Sequence, residues 1–341
     1  KYKLNVKIKA IIYIFNANLF FVLFRKLPRS FRVISLWRLK MDTVGTDFGS
    51  CNLKTSTGII VPSKVTKCSS NFFGAEYLIE FQDETYIIGE GEYDTVLDKT
   101  KKENFLPMLC LALGLSTNEQ VIRVVAGLPI NQYKSVEKDK MERLILDNKM
   151  LNFKLNGVQR QIIIENCSIT AEGIATYYSL PNEQRKELKD RDIVILDIGG
   201  RTTDIALIKA GKKRTIGQST SLEVGMINIY KDIINEVNSK HTLGLDIEDA
   251  EYILKHGLEV DGERKDTEFI KDILMNNIKK IFKVLNVSYP VRTSPILVTG
   301  GGGEAFFKAI KKRYPTANMV NDHMFSNAIG YKKVGEKIWK D

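Results

Sequence analysis

Cysteine and histidine are scarce in this 341-residue chain, and the familiar nucleotide fingerprints are missing. The four cysteines, Cys51, Cys68, Cys110 and Cys167, are scattered and contain no C-x-x-C pair. That spacing argues against structural zinc and against a disulfide framework, and it fits a reducing compartment. His241, His256 and His323 are equally dispersed, which speaks against a histidine metal site. No G-x-x-x-x-G-K-[ST] and no G-x-G-x-x-G occurs, so P-loop and Rossmann classes are disfavoured. No low-complexity linker divides the chain. The apolar run Ala10 to Phe24, interrupted by Asn16 and Asn18, falls short of the ~20 residues that a spanning helix needs. It also lacks a small-x-small cleavage site, so a signal peptide fits poorly.

What is present is unevenly distributed. The net charge of +10 suggests nucleic acid until it is located. Residues 1–40 hold ten Lys or Arg and no acid, which leaves 41 bases against 41 acids in residues 41–341. The body is neutral, and no direct nucleic-acid binding is expected of it. Residues 1–40 are expected to lie outside the functional domain, because Met41 directly precedes the first regular pattern, "DTVGTDFGS". The rival is a basic membrane-surface anchor.

From Met41 onward strands and helices alternate. "YLIEF", "TYIIGE" and "VIRVVAGLP" carry the β-branched and aromatic residues of strands. "NFLPMLCLALGL" predicts an apolar helix ending near Gly114, and "SVEKDKMERLILDN" a polar-faced one. Asn156-Gly157 predicts a type I′ hairpin turn, and a second hairpin turn is expected at Gly211. Helical spacing then predicts helices over 222–237, 266–285 and 304–313, the last preceded by the buried strand of "SPILVTGGGG". The class is α/β with helix-covered sheets.

One internal repeat stands out. "DFGSCNLK" (47–54) and "DIGGRTTD" (197–204) both read Asp-apolar-Gly followed by small and polar residues, about 150 residues apart. Such turns suit a phosphate chain, because glycine lets backbone N–H groups approach it closely. Gly49, Ser50, Cys51, Asn52 and Lys54 in the first turn are candidate phosphate contacts. Gly199, Gly200, Arg201, Thr202 and Thr203 are their counterparts in the second. Asp47 and Asp197 would repel phosphate directly but suit Mg²⁺ held through water. Gly300, Gly301, Gly302 and Gly303 form a third loop, placed between strand and helix to meet a ribose or an adenine edge. Arg201 either stabilises phosphate charge or faces solvent. Cys51 is a small loop filler, and Asp204 has no assigned role beyond bracing its turn.

These three loops, in this order, resemble the actin-fold ATPases: actin, heat-shock chaperone ATPases, sugar kinases and bacterial filament proteins. Within them "VVAGLPINQYKSVEKDKMERLIL", "FKLNGVQRQIIIENCSITAEGIATYYSL" and "FSNAIGYKKVG" are most similar to ParM-like plasmid-segregation proteins. The resemblance implies an actin-like, duplicated ribonuclease-H-like fold of two lobes with the nucleotide between them. Residues 41–190 would form lobe I, completed by a returning C-terminal helix in 322–341, and residues 191–321 lobe II. In "TAEGIATYY", Glu172 takes the family's catalytic glutamate position, with Ala171 replacing a common proline. Its implied role is to orient or deprotonate the water that attacks the γ-phosphate, and Asp197 counts with it as catalytic through the metal ion.

The function this implies is a cytoplasmic filament that hydrolyses ATP or GTP with Mg²⁺ and segregates low-copy plasmid DNA. Its partners would be further copies of itself and a DNA-binding adaptor at a centromere-like site. A membrane-associated cell-shape or division filament is the alternative, and a small-molecule kinase of the same fold is a weaker one.

Overall fold

A computed structural model describes residues 41–68, 74–93, 96, 98–211 and 214–340. The expectation for residues 1–40 lies outside the described residues.

The first half supplies β1 (Asp42–Phe48), β2 (Asn52–Thr55), β3 (Ile60–Pro62), β4 (Lys64–Cys68), β5 (Tyr77–Phe81) and β6 (Glu84–Tyr93). A short 3-10 turn, Lys99–Lys101, leads to helix α1 (Phe105–Ser116). β7 (Val121–Leu128), α2 (Ile130–Tyr133), α3 (Glu137–Asp147), β8 (Met150–Leu155), β9 (Val158–Ala171), α4 (Ile174–Ser179) and α5 (Asn182–Leu188) follow. The second half contains β10 (Ile193–Ile198), β11 (Thr203–Lys209), β12 (Thr215–Leu222), α6 (Met226–His241) and α7 (Asp249–His256). It continues with β13 (Leu258–Val260), β14 (Glu263–Lys265), α8 (Glu268–Ser288), β15 (Ile296–Thr299), α9 (Gly303–Arg313), β16 (Ala317–Met319) and α10 (Ser326–Ile338).

Two sheets repeat one topology. The first is ordered β3-β2-β1-β7-β9-β8-β5-β6-β4 and the second β12-β11-β10-β15-β16. In each, a central strand (β1 or β10) pairs antiparallel with its successor and parallel with a later strand (β7 or β15). The likeness of the two Asp-apolar-Gly turns is therefore a likeness of place. Asp47 faces Lys54 across β1–β2, and Asp197 faces Asp204 across β10–β11. This is the duplicated α/β architecture expected from the repeat.

Strand parity then decides which side chains face the cleft, since alternate residues point to opposite faces. On β10, Val194, Leu196 and Ile198 join the core under α6, α8 and α9. Ile193 and Ile195 pack instead with Ile130, Ala171, Tyr177 and Leu180 of the first half, so Asp197 shares that face. On β1, Val44 and Phe48 enter the core with α1. The opposite face holds Gly45 against the backbone of α10, and Asp47 shares it.

Several helix boundaries differ from expectation, α8 for one running Glu268–Ser288 rather than 266–285. α6 begins at Met226 rather than at Leu222, because Leu222 is still paired with Thr203 in the sheet. α1 ends at Ser116, near Gly114 as expected, with Phe153 and Leu155 close against that glycine. The Asn156-Gly157 turn is as expected, with both residues at positive φ, +49° and +78°.

Candidate functional site

A cleft of about 230 Å³ opens where the two repeated turns meet. Asp47, Gly49, Ser50, Cys51, Asn52 and Lys54 line it from the first turn, and Asp197, Gly199, Gly200, Arg201 and Thr202 from the second. Both turns are held by their carbonyls. Ser63 donates its amide to the Cys51 carbonyl and its hydroxyl to that of Gly49, each at 2.7 Å. In the second turn, Met226 and Ile227 at the start of α6 donate to the carbonyls of Gly199 (3.2 Å) and Gly200 (2.7 Å). In a trans peptide the C=O and the next N–H point in opposite directions. The amides of Ser50, Asn52, Gly200 and Arg201 are therefore turned away from these anchors, as an anion-binding turn requires.

The approach of the turns demands glycine at two places. A Cβ on Gly200 would lie 2.0 Å from the Cys51 Sγ, across the cleft. Gly300, at φ +85°, sits so close beneath Asp197 that a Cβ would lie 2.3 Å from its Oδ1. Cys51 is thus a packing residue, and burial pushes its thiol up to about 11, far from a nucleophile's range.

Five of the expected contacts stand back from the cleft or have their polar groups engaged elsewhere. Thr203 is fully buried and donates its hydroxyl to the Val224 carbonyl at 2.6 Å, so it braces the turn rather than reaching phosphate. Of the glycine run, only Gly300 lines the cleft. Gly302 and Gly303 spend their amides on the carbonyls of Ile198 (2.9 Å) and Gly300 (3.2 Å). Gly301 is exposed and lies outside the cleft lining. Thr202 lines the cleft, but its hydroxyl donates to Asp204 at 2.8 Å. Asp204, braced also by Ser221, is itself a cleft residue with its carboxyl raised by burial.

The carboxylates at the floor are closely partnered. Asp197 accepts a hydrogen bond from the Asn327 amide at 2.9 Å, and Asn327 is oriented by the Thr176 hydroxyl at 3.1 Å. Burial, then repulsion from Asp204, raises Asp197 to about 6. Glu172 stands where β9 hands over to α4, and its amide donates to the Leu128 carbonyl at 3.0 Å. Its carboxylate accepts a hydrogen bond from Lys99 at 2.7 Å. The Lys99 ammonium also lies 3.7 Å from Asp47 and 3.3 Å from the Gly127 carbonyl. Burial alone would lower Lys99, but the charges of Glu172 and Asp47 outweigh it and hold the ammonium protonated. Burial raises Glu172, with the ammonium opposing.

Lys99, Asn327, Ser63 and Thr176 were invisible in the sequence pattern. Lys99 sits in "DKTKKEN", which reads as an ordinary solvated charge run. Asn327 and Thr176 belong to stretches recognised only by resemblance.

The donor set fits a phosphate chain with a hydrated cation. Lys54, Lys99 and Arg201 bring positive charge, and the outward amides bring donors. Among the described residues no three His, Cys, Asp or Glu side chains gather into a metal-binding group. Two buried carboxylates suit an ion that keeps most of its water and takes its remaining ligands from phosphate.

Residues 45–174 match the family of actin-like proteins, N-terminal domain, and residues 195–312 match the archaeal actin homologue MreB-like C-terminal family. The chain belongs to the actin-like proteins. An archaeal actin homolog from Thermoplasma acidophilum is 24% identical over 252 residues, covering 69% of this actin-like chain and 76% of the relative. The crystal structure of an archaeal actin homolog in complex with ADP superimposes with a TM-score of 0.75 at 21% identity, over 87% of this chain and all of that one. A ParM filament structure from Clostridium botulinum gives 0.73 at 20% identity, over 88% of this chain and all of that one. At such identities the two structures speak for the fold alone.

Proposed function

We propose that this actin-like protein binds ATP or GTP with Mg²⁺ in the cleft, hydrolyses it, and polymerises into filaments that segregate low-copy plasmid DNA. The observation that carries the proposal is the convergence of two equivalent Asp-apolar-Gly turns, with their carbonyls tied back, on one cleft beside Glu172. Asp47 and Asp197 would hold the hydrated cation, and Lys54 with the turn amides would hold the phosphates. Glu172 would orient the attacking water. Bound Mg²⁺ would neutralise the charge that builds on the phosphate oxygens as the bond breaks.

Residues 42–190 with α10, and residues 191–321, act in this proposal as two lobes that close on nucleotide and present a polymerising shape. Hydrolysis then shifts the population back by removing the γ-phosphate contacts. The filament in which the ParM structure was seen supports polymerisation, and the ADP complex of the archaeal homolog supports nucleotide in the cleft. The neutral body favours an adaptor protein as the link to DNA. Among the described residues no helix is long and apolar enough to cross a membrane. We place the protein's action in the cytoplasm.

Light scattering and pelleting with Mg-ATP or Mg-GTP test polymerisation. Nucleotide-dependent filaments are expected, while a monomer that transfers phosphate to a small molecule would sink the proposal in favour of a kinase. Plasmid retention in a host supplied with the gene tests the DNA role. Liposome co-pelleting without plasmid stabilisation would assign the filament to the membrane instead.

A further inference from the structure

The Lys99–Glu172 pair lies where the water-directing group should be available, yet the structure commits that group to a buried ammonium. Lys99 sits at the start of the Lys99–Lys101 turn, 6% exposed, and lines the cleft with Glu172. Its ammonium donates to Glu172 at 2.7 Å and to the Gly127 carbonyl at 3.3 Å, and it is ion-paired with Asp47 at 3.7 Å. An ammonium has three N–H groups and rotates freely on a four-carbon stem, so it can exchange one acceptor for another without moving the backbone. Phosphate oxygens are stronger competitors for it than a carbonyl, and they carry more charge than a single carboxylate.

We propose that Lys99 gates the site: it holds Glu172 paired while the cleft lacks a terminal phosphate, and moves its hydrogen bonds to that phosphate when a triphosphate binds, freeing the Glu172 carboxylate to orient water. The gate rests on the function proposed above. It makes Lys99 the reader that separates a nucleoside triphosphate from a diphosphate, and it keeps the hydrolytic carboxylate engaged until substrate is in place. A purely structural ion pair would stabilise the fold and be indifferent to which nucleotide enters.

The two accounts differ in the sign of one measurement. Glu172→Gln removes the charge that competes for Lys99. In the gate it tightens ATP binding by about tenfold, because Lys99 no longer has to be drawn from its partner, and changes ADP binding by less than about threefold. Lys99→Met weakens ATP by about 10–100-fold and leaves ADP within about threefold. In the Lys99→Met/Glu172→Gln double variant the tightening vanishes, since nothing remains to be released. Binding is read by isothermal titration calorimetry with ATP, or with a non-hydrolysable analogue for the variants that still turn over.

Glu172→Gln that leaves ATP affinity unchanged or weaker overturns the gate, as does Lys99→Met that weakens both nucleotides alike. If Lys99→Met does not fold, Lys99→Arg replaces it. The charge is then kept, and the tightening on adding Glu172→Gln must persist, its loss again counting against the gate. A native chain that binds neither nucleotide refutes the proposed function itself. A native chain that binds and hydrolyses, with no tightening in Glu172→Gln, refutes the gate alone.

Discussion

Asp197→Asn is expected to make the nucleotide-free protein more stable and, under the proposed function, to abolish hydrolysis. Asp197 is 9% exposed, has the Asn327 amide as its hydrogen-bond donor, and faces the charge of Asp204 and then Asp47. Burial and that repulsion place its folded pKa at about 6, against about 3.9 in an unfolded chain. The folded state therefore takes up a proton first as the pH falls. Stability contributed by the neutral acid is fully present below about pH 4 and is lost as the pH rises through about 6. The two-unit displacement corresponds to about 3 kcal/mol at pH 7.5. Asparagine has the same shape, stays neutral and can still accept from Asn327. For roughly 300 ordered residues a 3 kcal/mol gain raises Tm by about 5 °C. Thermal denaturation without Mg²⁺ or nucleotide, followed by circular dichroism, measures it. The gain should fall to about half at pH 5 and nearly disappear by about pH 4, where the native acid is already protonated. Equal gains at all three pH values, or destabilisation at pH 7.5, would refute the argument that an unneutralised buried carboxylate costs the nucleotide-free protein stability.

Two further predictions concern the supports beneath the site. Tyr331 is fully buried and its hydroxyl has no hydrogen-bond partner, so Tyr331→Phe should change stability by less than about 1 kcal/mol in urea unfolding. Gly127→Ala should cost more than about 3 kcal/mol, because its Cβ would lie 1.8 Å from that hydroxyl and 2.0 Å from the ring carbon bearing it. Tyr331→Phe should not rescue it. Thr203→Val should cost about 1–3 kcal/mol by orphaning the Val224 carbonyl, yet leave nucleotide Kd within about threefold, since its hydroxyl braces the turn from behind.

The part of the site that could be read in the sequence is the part made by contiguous residues. Asp47 to Lys54 and Asp197 to Asp204 are each a single strand–turn–strand, so spacing alone reveals that an acid, glycines and hydroxyls share a tip. Parity within "IVILDI" even implies that Asp197 differs in face from Val194 and Leu196. What stayed hidden is made by chain reversal over long separations. Lys99 meets Glu172 across 73 residues and Asn327 meets Asp197 across 130, and no local periodicity encodes such a meeting. The glycine run is ambiguous in sequence for a related reason. Composition shows four amides in a row, but whether an amide is free depends on partners such as the Ile198 carbonyl, which another strand supplies. The start of α6 is hidden because Leu222 stands four residues before Met226, as on a helix face, while the sheet holds Leu222 in register with Thr203.

α10 begins where Asn327 grips Asp197 of the second sheet, and its body packs on β1, β7 and α4 of the first half. Its 13 residues span about 20 Å. It thus ties the two sheets together, one end hydrogen-bonded to a buried carboxylate of the second and its shaft bedded against the first. Tyr331, wedged under Gly127 one turn along that shaft, leaves it little freedom to slide. In the proposed nucleotide cycle, a change of charge at Asp197 would reach the first half of the chain through that one side-chain amide.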